Sequence, residues 1–184
     1  MRIYLVRHPP PIGVDGLCYG RLDVAVDEHA IGETADSVFA QLSSQLLESA
    51  RIYSSPASRC MGLARRIAAP REPASSEDLS EMNFGGWQGS RWDSIPREKI
   101  DAWVKDAWSY RPGDGESAEM VATRWERWLD HVRQLEGEAV VAVTHAGVIR
   151  VALARSTGVK DSSVLNVQVP FGSVHCLEFG NKYG

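Results

Sequence analysis

The chain has 184 residues, 20 of them basic and 24 acidic, for a net charge of −4 and a pI near 5.7. Its length suits one domain spanning 1–184, and its acidic balance argues against nucleic acid or an anionic membrane as partner, since both usually demand a basic face. No apolar run approaches the ~18 residues of a membrane span, Met1–Arg7 lacks the apolar core of a secretory signal, and Cys18, Cys60 and Cys176 form no CxxC pair, so a cytoplasmic protein with free thiols is expected.

Met1–Arg7 (MRIYLVR) is β-rich and stops at His8 and three prolines, which predicts a buried strand. Val38, Leu42, Leu46 and Leu47 give Thr34–Glu48 the spacing of an amphipathic helix. Arg51–Ser54 (RIYS) reads as a second strand. Ser55-Pro56 then offers a capping hydroxyl followed by a first-turn proline, predicting a helix to about Ala69.

All six tryptophans fall between Gly85 and Gln134. Within that stretch Val121, Trp125, Trp128, Leu129, Val132 and Leu135 mark an amphipathic helix that Ser117 could cap, and PGDG at Pro112–Gly115 marks a turn before it. The region 85–135 is expected to be a helical, Trp-rich insertion, too short for a core of its own. Glu138–Thr144 (EAVVAVT) has the near-continuous apolar character of a strand covered on both faces. Ala146–Ser156 follows as a helix and Val174–Phe179 as a last strand. The expected fold class is α/β, three layers of helix, sheet and helix around a mostly parallel central sheet.

Polar residues collect where these strands end. Arg7 and His8 close the first, Ser54 and Ser55 the second with Arg59 one turn beyond, and Thr144 and His145 the long apolar one, with Ala146-Gly147 opening a helix. Ligands bind at the carboxyl edge of open α/β sheets. Two arginines and two histidines at that edge, beside helix N-termini, suit an anion with tetrahedral oxygens, most simply phosphate. Any one of them alone reads more plainly as a core histidine or a surface arginine; the combination is what points to a site. The histidines lack ligand spacing such as HxH, and no phosphate loop, HExxH or GxSxG occurs, so neither a metal nor a cofactor is expected.

Five segments in order resemble the histidine phosphatase superfamily. LVRHP at Leu5–Pro9 is similar to its LVRHG signature, and YSSPASR at Tyr53–Arg59 to its SSPLxR segment. LSEMNFGGWQG at Leu79–Gly89, Gly115–Ser117 with Arg124, and VTHAGVIR at Val143–Arg150 resemble its remaining segments. The resemblance implies that His8 attacks phosphorus, that Arg7, Arg59 and His145 hold the nonbridging oxygens, and that Glu81 protonates the leaving group. It also implies substrate contacts near Gly20, Arg21 and Ala146. Pro9 replaces the family's glycine and removes an N–H from the phosphate side. Val14 stands where the family often has a phosphate-binding asparagine, and Arg21 is the candidate replacement.

Met82 follows Glu81 where the mutases of this superfamily usually carry arginine, which favours hydrolysis. CYGRLD at Cys18–Asp23 resembles the α-ribazole phosphatases of cobalamin synthesis. That implies a small phosphorylated metabolite as partner, α-ribazole 5′-phosphate or the cobalamin 5′-phosphate, and a monomer or homodimer. A broad-specificity phosphatase, a mutase-like enzyme and an inactive phosphate-binding module are the alternatives.

Overall fold

The computed structural model describes residues 1–135, 137 and 139–179. Five strands form one sheet: β1 (Arg2–Arg7), β2 (Arg51–Ser54), β3 (Ala74–Ser75), β4 (Ala139–Thr144) and β5 (Val174–Glu178). Their order is β3-β2-β4-β1-β5, parallel except for β5, which runs antiparallel along β1. The expected start of β4 at Glu138 lies outside the described residues.

Helices cover both faces. On one side α1 (Glu28–Gln41), α2 (Ser44–Ser49) and α3 (Ser58–Ala68) pack Ala35, Val38, Leu63 and Ile67 against Tyr4, Val6, Val141 and Val143. On the other, α5 (Ala118–Arg133) and α6 (Ala146–Thr157) pack Trp125, Trp128 and Ile149 against Ile3, Leu5, Val140 and Ala142. Strand alternation accounts for the split, since successive side chains point to opposite faces. The result is the three-layer α/β architecture expected.

Several elements differ from the sequence reading. The helix predicted over Thr34–Glu48 is two helices. Asp27 caps α1 by accepting from the His29 amide, and Ser43 interrupts the apolar run because its hydroxyl accepts from the Leu46 amide and starts α2. Ser55 does not cap α3, which begins at Ser58 after Ala57 with no side-chain cap. Ser117 does cap α5, 3.2 Å from the Met120 amide.

The tryptophan-rich stretch divides. α5 is a layer helix whose Trp125 and Trp128 belong to the main core, whereas residues 85–117, including α4 (Arg97–Lys105), lie over the sheet edge. That cover closes on itself at a narrow neck. The Glu116 amide donates to the Asn83 carbonyl at 2.7 Å. A Cβ on Gly85 would lie 2.0 Å from the Gly113 carbonyl oxygen, and one on Gly113 would lie 2.2 Å from that of Phe84. Both glycines also have positive φ, so no side chain fits at either position.

Candidate active site

The site begins with a register. Parallel pairing sets Arg7 opposite Thr144, and the His8 amide extends the ladder to the Thr144 carbonyl at 3.1 Å. His8 and His145, next along their strands, therefore fall side by side with ring centroids 5.1 Å apart. The Ser55 amide extends the β2–β4 ladder in the same way, 2.9 Å from the Val143 carbonyl, and Ser55 Oγ lies 2.8 Å from His145 Nε2. A hydroxyl that looked like a helix cap thus holds an imidazole. His8, Ser55, Arg59 and His145 are all buried.

His8 Nδ1 lies 2.7 Å from the Pro9 carbonyl oxygen. A carbonyl can only accept, so Nδ1 carries the proton and Nε2 keeps its lone pair. Proline at position 9 lacks an N–H yet supplies this acceptor as any residue would. Burial pushes the His8 pKa down to about 3, opposed by the bond to Pro9 and helped by the charges of Arg59 and Arg7. His145 is driven well below the usual imidazole range by burial, with His8, Arg59, Arg124 and Arg7 adding to it. Both imidazoles are neutral at pH 7.

Two guanidinium groups flank the pair. Arg59 donates to the carbonyls of Leu22 (2.8 Å) and Gly20 (2.7 Å), and Arg7 donates to that of Val169. Each has a buried Nε with no hydrogen-bond partner among the described residues. Two guanidinium charges beside two neutral histidines suit an oxyanion. Tyr19 lies against both arginines, with the Arg59 guanidinium carbon 5.3 Å from its ring centre. Phe171 covers Arg7 at 3.7 Å and reaches within 5.6 Å of the His8 ring centre. The aromatic contacts of Tyr19 and Phe171 were not expected from sequence, because both come from loops whose apposition is set only by the tertiary fold.

Glu81 occupies the mouth. Its Oε1 accepts from the Met82 amide at 2.9 Å and its Oε2 from the Gly147 amide, at the start of α6, at 3.4 Å. A Cβ on Gly147 would come within 2.3 Å of Glu81 Oε1, so this helix start must be glycine for the carboxylate to lie there. Two cavities meet at Glu81. One, of about 260 Å³, is lined by Arg59, Ser55 and His145. The other, of about 290 Å³, carries Arg7, Tyr19, Gly20 and Ala146, and is walled by Phe84, Trp92, Trp103, Val164 and Leu165. Trp92 and Trp103 stack with planes 8° apart and centroids 6.0 Å apart. The other four tryptophans are buried in packing.

The five residues expected to be catalytic (Arg7, His8, Arg59, Glu81 and His145) thus gather at one sheet edge, with Gly20 and Ala146 on the cavity wall. Arg21 also lines the smaller cavity, with its Nε donating to the Glu81 carbonyl (2.9 Å) and its Nη2 to the Glu116 carboxylate (2.9 and 3.0 Å). Arg150 was passed over as the end of a motif. It also lines the larger cavity, with its Nε on the Val167 carbonyl at 2.9 Å. Among the described residues no group of three or more His, Cys, Asp or Glu side chains is arranged to hold a metal ion, and no helix is long and apolar enough to cross a membrane.

A family model of the histidine phosphatase superfamily (branch 1) matches residues 3–184. The chain is 24% identical over 190 residues to the adenosylcobalamin/α-ribazole phosphatase of Escherichia coli K12, covering 100% of this chain and 92% of that one. It is 32% identical over 175 residues to phosphoglycerate mutase-like protein 4 of Arabidopsis thaliana, covering 89% and 74%. A phosphoserine phosphatase variant from Entamoeba histolytica, solved with phosphoserine, superposes with a TM-score of 0.83 at 21% identity, covering 97% of this chain and 91% of that one.

Proposed function

The chain belongs to the histidine phosphatase superfamily, branch 1, as a phosphoric monoester hydrolase, and from that membership we propose that it releases the 5′-phosphate of α-ribazole 5′-phosphate or of the corresponding cobalamin phosphate through a phosphohistidine on His8. The observation that carries the chemistry is the neutral His8, its Nδ1 on the Pro9 carbonyl, beside His145 and within the fields of Arg7 and Arg59.

The steps follow from that arrangement. His8 Nε2 attacks phosphorus in line while Arg7, Arg59 and His145 hold the nonbridging oxygens. Phosphoryl transfer asks for little beyond such positioning and charge stabilisation. Glu81 gives its proton to the leaving alkoxide as the bond to phosphorus breaks. The same carboxylate then takes a proton from water, which attacks the phosphohistidine and restores His8 with release of phosphate. Arginine carries the charge that a metal ion carries in other phosphoryl-transfer sites.

For the substrate, an apolar, aromatic wall beside Glu81 supports a flat, uncharged leaving group such as a benzimidazole riboside, which an indole face can stack on. Arg150 on the same wall favours a second reading, a small phosphorylated acid whose carboxylate pairs with the guanidinium. The test is phosphate release in EDTA from α-ribazole 5′-phosphate, 3-phosphoglycerate, phosphoserine and an aryl phosphate. A kcat/KM for the riboside about 100-fold above the rest, ~2.7 kcal/mol of discrimination, supports the first reading. A preference for the carboxylated substrates supports the second, and equal low rates on all four refute both.

A further inference from the structure

Outside the reacting groups, one carboxylate collects more donors than any partner contact requires. Glu116, at the neck of the cover, is only 15% exposed. It accepts from Arg124 Nε (3.2 Å) and Nη2 (3.3 Å), from Arg21 Nη2, and from the Asn83 amide at 2.9 Å. Each donor leads to the segment that carries Glu81. Arg124 also donates to the Asp78 carbonyl at 2.7 Å, three residues before Glu81. Arg21 donates to the carbonyl of Glu81 itself, and Asn83 lies two residues after it. The Thr144 hydroxyl further ties the Leu79 carbonyl to the end of β4.

We propose that Glu116 is a positioning residue for the general acid, fixing the backbone of residues 78–83 through Arg21, Arg124 and the Asn83 amide so that the Glu81 carboxylate meets the leaving-group oxygen. The proposal rests on the assignment of Glu81 as that acid. Two cations and one amide converge on a single anion, and among the described residues no other carboxylate bonds to these three donors. Its charge offsets the repulsion between Arg21 and Arg124, which bind the Glu81 and Asp78 carbonyls respectively. Arg21 lines the smaller cavity, but its Nε and Nη2 are committed to the Glu81 carbonyl and the Glu116 carboxylate.

Leaving groups separate this role from a merely structural one. A good leaving group departs without protonation, so loss of the acid slows the first transfer, which kcat/KM reports, strongly for alkyl phosphates and little for nitrophenyl phosphate, whereas hydrolysis of the phosphohistidine is common to both. Glu116→Gln keeps the side-chain shape and removes the charge; Arg21→Ala removes a half-exposed strut with little risk to folding. With Glu81→Gln as the reference, each variant is assayed for kcat/KM on α-ribazole 5′-phosphate or 3-phosphoglycerate, whichever the wild type turns over, and on nitrophenyl phosphate. The expected result is a kcat/KM loss of 10-fold or more on the alkyl substrate and under about 3-fold on the aryl one for both variants, in the pattern Glu81→Gln sets. Equal losses on both substrates, beside a selective loss in Glu81→Gln, overturn the proposal. If Glu81→Gln itself shows equal losses, the acid assignment falls and takes the proposal with it. Should Glu116→Gln fail to fold, Arg21→Ala decides by the same criterion.

Discussion

His8 and His145 lie edge to face, 5.1 Å between centroids and 64° between planes, because the register that pairs Arg7 with Thr144 makes them the next rung. Two imidazoles held so close, beside two arginines, cannot both carry charge.

That juxtaposition makes stability pH-dependent. His8 has a folded pKa of about 3 and His145 one well below 6.5, whereas in the unfolded chain both titrate near 6.5. Between those values the unfolded state binds more protons, so stability falls as pH drops below about 6.5. Each histidine contributes a slope of up to about 1.4 kcal/mol per pH unit. Denaturant unfolding at pH 7, 6, 5 and 4 should show a steady loss, and His145→Gln should flatten it. A curve level from pH 7 to 4 would contradict the neutral pair.

Turnover should require His8 and no metal. His8→Ala is expected to abolish phosphate release while vanadate or phosphate still binds, since Arg7, Arg59 and His145 remain. Wild type quenched in alkaline detergent should carry acid-labile label on His8 from a radiolabelled substrate, and activity should persist in excess EDTA. Strict dependence on a divalent ion, or turnover by His8→Ala near the wild-type rate, would refute this chemistry.

Loss of a guanidinium should be costly at the barrier. Arg59→Ala is expected to lower kcat by about 10²–10³-fold, roughly 2.7–4 kcal/mol, as removal of a preorganised donor to a developing charge does. Steady-state kinetics on an aryl phosphate is the measurement, because its leaving group departs without protonation.

Gly147→Ala should divide activity from stability. Alanine suits the first turn of α6 and is expected to leave the unfolding free energy unchanged or raised by up to ~1 kcal/mol. Its Cβ, 2.3 Å from Glu81 Oε1, must displace the carboxylate, lowering kcat on an alkyl phosphate by about 10²-fold. Wild-type activity in a folded Gly147→Ala protein would mean that the carboxylate does not act from this position.

The tryptophan wall should act on binding. Trp92→Ala and Trp103→Ala are expected to raise KM for an aromatic riboside phosphate several-fold while leaving 3-phosphoglycerate little changed. An equal rise for both would show that the wall does not contact the leaving group.

Much of this was legible in the chain. β1 and β4 are apolar runs that stop at polar residues, and a strand buried on both faces has to be read that way. Arg7, His8, Arg59, Glu81 and His145 lie in motifs, and the structure gathers all five beside the ends of β1 and β4. What escaped was tertiary. Ser43 breaks an apolar periodicity by a single hydroxyl bond, β3 has only two residues, and the antiparallel direction of β5 leaves no local mark. Ser55 looked like a cap because Ser-Pro often is one, yet its hydroxyl serves His145. Of six tryptophans alike in composition, only the packing shows that two face the cavity.

The neck between Asn83–Gly85 and Gly113–Glu116 fixes where the cover begins and ends without fixing what lies between. Because its backbones touch with no room for a side chain, the ends of that excursion stay put however long it is. Doubling the length of a closed loop costs only about 0.6 kcal/mol in chain entropy. The stretch carrying Trp92 and Trp103 can thus change length beyond residue 92 with its ends held, while residues 88–92 stay tied to the loop at 16–21 that receives Arg59.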